Sequence, residues 1–212
     1  MPVEKVAEAD FPTRWGHFRI MGFAGMMPGT PATGSPDGQE RRREESVVLT
    51  MGDLYAEAPL LRIHSQCLTG DVFHSLRCDC RQQLELALTK IGEAGAGILI
   101  YEEQEGRGIG LMAKLRAYEL QDQGLDTVEA NIKLGFDADC RGYHMPVEIL
   151  KALGIQKVRL LSNNPEKVAA LEAAGIAVVE RVPADVEACE SHARYMKTKR
   201  DKMGHLITSL NL

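Results

Sequence analysis

Three cysteines at positions 67, 78 and 80 lie close together in a chain of 212 residues. A thiolate is a soft ligand, and zinc in proteins is normally held by four nitrogen or sulfur donors in a tetrahedron. The chain has five cysteines, and this odd, clustered set argues against a disulfide framework. Cys67, Cys78 and Cys80 therefore predict a metal site.

The number of ligands leaves two kinds of metal site open. Three protein ligands leave one zinc position free, as in catalytic sites, where bound water has a pKa of about 7. Alternatively, a fourth ligand such as His64, His74 or Cys140 completes a structural site.

A glycine-rich segment at residues 104–110 combines opposite charges, with Glu105 and Arg107 on either side of Gly106. It follows an apolar run and precedes a predicted helix, the placement in which helix N-termini bind phosphate. It lacks the Gly-Lys-Ser/Thr ending of a Walker A loop. A carboxylate here can bind Mg²⁺ or a guanine edge, and a guanidinium can hold phosphate through two hydrogen bonds. A tight turn with a surface ion pair is the alternative.

Asp139 and Arg141 lie on a predicted loop just before an apolar helix. An aspartate there can act as a general base, and an arginine can stabilise charge on a transferring phosphoryl group. A surface salt bridge is the alternative. Together with the thiols and the glycine-rich segment, the pair suggests a zinc-dependent hydrolase that acts on a nucleotide.

The elements that must position these residues alternate between strand and helix. Apolar patterning and turn residues predict strands at 17–21, 46–51, 60–64, 97–101, 157–162 and 176–182, and helices at 81–94, 111–123, 145–153 and 166–174. This order indicates an α/β protein, a single compact domain over residues 1–212 with mixed β-sheets and flanking helices. Residues 24–46 are rich in Pro and Gly and predict a surface loop, and residues 189–212 predict a helical tail.

Composition and charge narrow the class of ligand. The net charge is −5, which disfavours non-specific nucleic-acid binding, so an anionic ligand must be held by local basic residues. No apolar run approaches the roughly 20 residues that a membrane helix needs. The first residues, Met1 to Phe11, lack an apolar signal core, and we expect a cytoplasmic protein.

Motifs along most of the chain occur in the order of one known family. They are Arg62–Asp71, Ser75–Cys80, Gln104–Leu111, Lys114–Tyr118, Leu120–Gly124, Asp126–Asn131, Leu134–Phe136, Leu160–Pro165 and Lys202–Leu206. As a set they resemble GTP cyclohydrolase II, and the likeness covers nearly the whole chain beyond about Leu61.

The resemblance implies hydrolysis of GTP. The imidazole ring opens, C8 leaves as formate and pyrophosphate is released, which gives 2,5-diamino-6-ribosylamino-4(3H)-pyrimidinone 5′-phosphate, the entry compound of riboflavin synthesis. It also implies one zinc ion per chain on Cys67, Cys78 and Cys80, Mg²⁺ with the triphosphate, and a homodimer.

The same resemblance assigns roles to single residues. Tyr118 positions or protonates the opening ring, Asp139 resembles the proton acceptor, and Arg141 resembles the residue assigned as nucleophile toward the α-phosphorus. Because arginine stays protonated and has no free lone pair, we expect Arg141 to hold phosphoryl charge instead. The implied GTP contacts are Arg62, Ile63, His64, Ser65, Gln66, Gln83, Glu105, Gly106, Arg107, Thr127, Ser162 and Lys167.

Three positions depart from the family pattern. Gln66, Arg81 and Glu103 stand where the family commonly has Glu, Gly and Arg. Arg81 and Glu103 change charge in opposite senses and would compensate if they faced each other. The departures leave room for a relative that serves another pathway or stops at a formylated intermediate, or for a GTP-binding regulator without turnover. A zinc module docking on nucleic acid fits the cysteine spacing alone.

Overall fold

Seven strands form one mixed sheet in the computed structural model, which describes residues 3–29, 41–186 and 190–207. The strands are β1 Glu4–Thr13, β2 Gly16–Pro28, β3 Arg41–Met51, β4 Leu60–Ser65, β5 Gly97–Glu102, β6 Lys157–Leu161 and β7 Ala177–Val182. Their order across the sheet is β1-β2-β3-β5-β4-β6-β7.

Six α-helices and one π-helical turn connect these strands in the described residues. They are the turn Leu68–Val72, α1 Cys80–Ala94, α2 Leu111–Asp122, α3 Thr127–Lys133, α4 His144–Ala152, α5 Pro165–Ala173 and α6 Glu190–Met203. Local sequence explains the helix ends. Asp126 and Glu129 form a capping box at α3, and Asn164 caps α5 with Pro165 in its first turn. None of these helices is long and apolar enough to cross a membrane.

The sheet has an antiparallel half and a parallel half that meet at β5. Strands β1, β2, β3 and β5 pair antiparallel, whereas β4 pairs parallel with both β5 and β6, and β6 with β7. The carboxyl ends of β4, β5 and β6 therefore lie at one edge. The loops that follow them carry the cysteines, the glycine-rich segment and Ser162. Ligands of α/β sheets bind at this kind of edge.

Apolar clusters cover both faces of the sheet. On β5, Ile98 and Ile100 pack into a cluster that includes residues of α4 and α5, while Leu99 packs into a second cluster with α1. Side chains alternate between faces along a strand. On β4, Leu61 therefore belongs to the first cluster, and the buried Arg62 lies on the side of α1.

The predicted α/β class with a mixed sheet is confirmed. The predicted strands and helices overlap β2–β7, α1, α2, α4 and α5 and extend at most one residue beyond them. The sequence analysis missed β1 and α3. The expected surface loop at 24–46 is wrong at both ends, because residues 24–28 continue β2 and residues 41–46 begin β3. These ends pair with each other, Gly25 opposite Glu44, so cross-strand pairing overrides the local Pro and Gly signal.

The rest of that segment, residues 30–40, lies outside the described residues. The helical tail expected at 189–212 is observed as α6 over 190–203, and residues 204–207 are not helical. Gly204 explains this end, because its φ of 64° is the left-handed conformation that terminates helices. Residues 189 and 208–212 are outside the described part.

Replacement of Leu61 by alanine should show how strongly the parallel half depends on its core. Leu61 is fully buried at the centre of β4, and a buried Leu→Ala change costs about 2–5 kcal/mol in the free energy of unfolding. Urea denaturation measures the loss. Val179→Ala on β7, where the side chain is 57% exposed, is the control, and equal effects of the two changes would contradict this account of the core.

Candidate functional site

The three predicted thiols converge at the carboxyl end of β4. Their Sγ atoms lie within 4.8 Å of one another, and those of Cys67 and Cys78 are 3.7 Å apart. Cys67 follows β4 and leads into the π-helical turn, while Cys78 and Cys80 flank the start of α1. All three are free cysteines, so the cluster offers three soft donors to one ion.

Gly70 shows that the turn is shaped around these sulfur atoms. A Cβ at position 70 would lie 3.0 Å from Cys78 Sγ and 3.1 Å from Cys67 Sγ. Within the described residues no further His, Cys, Asp or Glu joins the group, so the fourth protein ligand of a structural site is not seen there. The donor set fits a zinc ion with one open position.

Lys114 places a positive charge beside the cluster. Its Nζ donates to Cys67 Sγ at 3.1 Å and to Glu105 Oε1 at 2.6 Å. Burial acts to lower the pKa of Lys114, but Cys67 and Glu105 outweigh it and raise the pKa, so the ammonium stays charged. Neighbouring Cys78 and Cys80, with Lys114, lower the pKa of the Cys67 thiol, which favours a thiolate ready for a metal.

Both carboxylate oxygens of Glu105 accept hydrogen bonds from other groups of the protein. Its Oε1 also accepts from the Gly106 backbone N–H at 2.9 Å, and its Oε2 accepts from the Leu68 N–H at 2.6 Å. The glycine-rich loop is thereby tied to the π-helical turn. The sequence analysis considered this carboxylate for Mg²⁺ or a guanine edge, but both of its oxygens already accept hydrogen bonds.

Asp71 anchors the backbone at Cys67. Its Oδ2 accepts from the Cys67 N–H at 3.0 Å and from the Tyr101 hydroxyl at 2.8 Å. His64 Nε2 lies 3.2 Å from the same carboxylate, and the His64 ring stacks on Tyr101. Burial lowers the pKa of His64. This buried network holds the first thiol in place and occupies His64, one of the proposed fourth ligands.

Tyr118 lies against the thiols from α2. Its hydroxyl is 3.0 Å from Thr69 Oγ1, and the Arg77 guanidinium lies 4.8 Å from the ring centre. Burial raises the pKa of Tyr118, so the phenol keeps its proton. Lys114 and Tyr118 are four residues apart and share one face of the helix, which places both on the cavity that the cysteines line.

Arg107 links the glycine-rich loop to the Asp139 loop. Its carbonyl accepts from the Cys140 N–H at 3.0 Å, and a Cβ on the neighbouring Gly108 would lie 2.8 Å from the Cys140 carbonyl. Arg107 has a φ of 63°. Both terminal guanidinium nitrogens are buried without a hydrogen-bond partner among the described residues. Such unpaired buried donors are costly and indicate a place for an anion.

Asp139 and Arg141 form an ion pair that is largely but not fully buried. Arg141 Nε donates to the two Asp139 oxygens at 2.8 and 3.1 Å, and its terminal nitrogen also contacts the carboxylate. Burial acts to raise the pKa of Asp139, but Arg141 and then Arg107 outweigh it and lower the pKa. In this arrangement the aspartate is ionised, and it orients the guanidinium.

The cavity that the three cysteines line is called the thiol cavity below. A second cavity adjoins it and is called the basic cavity, because several of its lining side chains are basic. Its charged lining includes Arg62, Arg107, Arg141, Lys167 and Lys199. Lys167 Nζ donates to the Ile63 carbonyl at 2.8 Å, and Arg62 donates to the Leu161 carbonyl at 3.1 Å. Burial lowers the pKa of Arg62 to about 10, and burial followed by Arg62 and Arg141 lowers the pKa of Lys167. A bound anion would stabilise the charged forms of these buried basic side chains.

The structure brings most of the predicted site residues to these two cavities. The thiol cavity is lined by Ser65, Gln66, Cys67, Cys78, Cys80, Glu105, Gly106, Arg107, Tyr118, Thr127 and Arg141. The basic cavity is lined by Arg62, His64, Ser65, Gln83, Arg107, Arg141, Ser162 and Lys167. Asp139 is not among the lining residues, but it binds Arg141, which lines both cavities. The side chain of Ile63 lines neither cavity, because it packs into the core.

The sequence analysis missed several residues of the site. Lys114 could have been found from its position four residues before Tyr118, on the same helical face. Tyr195 and Lys199 of α6 line the cavities from the tail, and no local pattern links that tail to β4. The suggested pairing of Arg81 with Glu103 is wrong, since Arg81 binds Glu85 and the Asp71 carbonyl.

Glu102 is a buried carboxylate at the end of β5, 1% exposed. Its Oε1 accepts a 3.3 Å bond from Gln104, and its Oε2 has no partner among the described residues. Burial is the main cause that raises the pKa of Glu102 from 4.5 to about 8. Lys167 and Arg141 act in the opposite direction, and Glu44 adds a smaller increase.

Gly70→Ala should weaken metal binding while the fold persists. The added Cβ would lie 3.0 and 3.1 Å from the sulfur atoms of Cys78 and Cys67, closer than ordinary van der Waals contact, so these atoms would have to move away from their positions around an ion. We expect at least tenfold weaker zinc binding in competition with a chromophoric chelator. Gly22→Ala is the matched control, since a Cβ at Gly22 meets nothing within 4 Å. Equal zinc affinity in both variants would contradict the inference that the turn at Gly70 is shaped around the sulfur atoms.

Glu102→Gln should increase stability in a pH-dependent way. The folded pKa of Glu102 lies above its ordinary value, so its contribution is complete below about pH 4.5 and is lost as pH rises to about 8. The advantage of the variant in free energy of unfolding should grow over that range and then level off. Urea denaturation across pH measures it, with the exposed Glu103→Gln as control. A difference that does not vary with pH would refute the assignment.

The comparisons with known proteins agree with this arrangement of residues. A family profile described as GTP cyclohydrolase II matches residues 4–183. The GTP cyclohydrolase-2 of Histophilus somni (strain 2336) is 50% identical over 210 residues, covering 99% of this chain and 91% of the relative. That of Escherichia coli O9:H4 (strain HS) is 51% identical over 208 residues, covering 98% and 99%. The chain belongs to the GTP cyclohydrolase II family.

Proposed function

We propose that this protein hydrolyses GTP by opening the imidazole ring, releasing C8 as formate, and releasing pyrophosphate. The product would be 2,5-diamino-6-ribosylamino-4(3H)-pyrimidinone 5′-phosphate, the first compound of riboflavin synthesis. One observation carries the proposal. The thiol cavity and the basic cavity share Ser65, Cys80, Arg107 and Arg141 in their walls, so one nucleotide can span a metal-binding end and a phosphate-binding end.

Cys67, Cys78 and Cys80 would hold one zinc ion at the first end. When bound, such an ion supplies hydroxide at neutral pH for attack on C8. Two neighbouring side chains, Lys114 and Asp71, support the three cysteines. Lys114 offsets the charge of the thiolates through its 3.1 Å contact with Cys67, and Asp71 fixes the backbone at Cys67.

In this proposal Tyr118 gives a proton to the opening ring. Its hydroxyl is held by Thr69, it faces the thiol cavity, and its pKa is raised by burial. A phenol that keeps its proton can donate a hydrogen bond, or the proton itself, to a ring nitrogen as the C–N bond breaks. Ser65, Gln66, Gly106 and Thr127 are the proposed contacts with the rest of the nucleoside.

The basic end would bind the triphosphate. Arg62, Arg107 and Lys167 supply basic side chains, and two buried guanidinium nitrogens of Arg107 have no hydrogen-bond partner among the described residues. Arg141, oriented by Asp139, would stabilise charge at the α-phosphorus as pyrophosphate departs. Mg²⁺ would arrive with the triphosphate and neutralise the leaving group. His64, Gln83 and Ser162 complete the wall of this end.

The oligomeric state and the compartment are part of the same proposal. We expect a homodimer, which the exposed outer strand β1 supports, since nine of its ten residues are exposed and an unpaired edge invites a partner. We expect a cytoplasmic protein, because Cys67, Cys78 and Cys80 are not in disulfides, as is usual for thiols in a reducing compartment.

Turnover of GTP with Zn²⁺ and Mg²⁺ is the direct test. The purified protein should release formate and pyrophosphate in equal amounts, and Cys78→Ser should reduce formate release by at least 100-fold because the ion loses a ligand. Removal of the metal with a chelator should abolish formate release, and added Zn²⁺ should restore it. Activity that survives in metal-free protein would contradict the zinc mechanism. GTP binding without turnover would instead indicate a regulatory protein.

A further inference from the structure

The chain turns sharply at the end of α6 and returns to the site. Gly204, with a φ of 64°, ends the helix and lets the following residues fold back. The His205 N–H then donates to the Lys199 carbonyl at 3.1 Å, and the Leu206 N–H donates to the Asn163 carbonyl at 2.9 Å. The short segment Met203–Leu206 is therefore docked against the loop that follows β6.

His205 is delivered by this turn to the wall of the basic cavity. Its Nε2 is buried and has no hydrogen-bond partner among the described residues. Burial, followed by the charges of Lys199, Arg141, Lys167 and Arg107, lowers the pKa of His205 to about 3. The ring is thus a neutral imidazole at physiological pH, close to several cations, and the described part of the chain offers its buried nitrogen no partner.

Two contacts of α6 show that the tail is part of the site. Lys199 Nζ forms a 2.6 Å ion pair with Asp79, a fully buried residue between Cys78 and Cys80. The Tyr195 ring lies 4.5 Å from Lys199 Nζ and 5.8 Å from the Arg107 guanidinium. The tail is therefore tied to both the thiol loop and the glycine-rich loop. The match to the family profile ends at residue 183, before these residues.

We propose that His205 is a substrate-positioning residue that binds the phosphate chain of the nucleotide. Its Nε2–H donates a hydrogen bond to a phosphate oxygen, and Lys199 adds positive charge behind it. The ligand class is a polyphosphate, and its identification as the triphosphate of GTP rests on the proposed function. Such a bond would give a partner to the buried Nε2 of His205, which has none among the described residues.

Two amide variants separate the hydrogen bond from packing. Glutamine places its amide near the position of Nε2, whereas asparagine places it near Nδ1. We expect His205→Asn to weaken pyrophosphate binding by about tenfold in calorimetry, the effect of losing one hydrogen bond to a charged group. The KM for GTP should rise similarly, with kcat changed less than threefold. His205→Gln should stay within threefold of the wild type.

His17→Asn is the control, because the His17 side chain is 68% exposed on β2. It should leave pyrophosphate affinity and KM unchanged. Zinc content and melting temperature are measured for every variant, and His205→Ala replaces His205→Asn if that variant does not fold. Equal pyrophosphate affinity in the wild type and the Asn or Ala variant would overturn the inference. Equal losses in the Gln and Asn variants would also overturn it.

If the proposed function is wrong, the measurements will differ from those that would overturn the role of His205. In that case the wild type itself would bind pyrophosphate but release no formate from GTP, and the role of His205 in anion binding would still be measured by calorimetry. A wild type that binds neither pyrophosphate nor GTP would contradict both proposals.

Discussion

The parallel pairing of β4 with β5 and β6 is the constraint on which the site depends. It brings the ends of three strands to one edge, so that loops distant in sequence meet there. The thiols come from the first loop, Arg107 from the second and Lys167 from α5 after the third. Apolar clusters on both faces hold the strands in register. A shift of one strand would separate the metal-binding end from the phosphate-binding end.

Buried charge is the main energetic cost of this arrangement, and the protein compensates it unevenly. Near the thiols, Lys114 places one positive charge against both Cys67 and Glu105. In the basic cavity the compensation is incomplete, since Arg107 and His205 keep buried nitrogens without partners among the described residues. Such preorganised donors cost stability in the free protein and stabilise charge when an anion binds. The unpaired donors therefore mark the end of the site at which the phosphates belong.

Sequence patterns predicted the elements that carry local signals. Cysteine spacing located the cluster of three thiols, and apolar periodicity located the helices and strands of the α/β core. The edge strand β1 was missed, because its exposed residues lack the alternation of a half-buried strand. The role of His205 depends on a turn at Gly204 and on packing against Asn163. Such contacts join residues distant in sequence, and no local pattern encodes them.

The central claim is that one nucleotide spans both ends of the site and reacts at both. Mass spectrometry of the nucleotide product after incubation with GTP, Zn²⁺ and Mg²⁺ tests it most directly. The account predicts a monophosphate that has lost C8 as well as pyrophosphate. A product that keeps an intact imidazole ring, or one that has opened the ring but keeps its triphosphate, would show that the two ends do not act on one bound molecule.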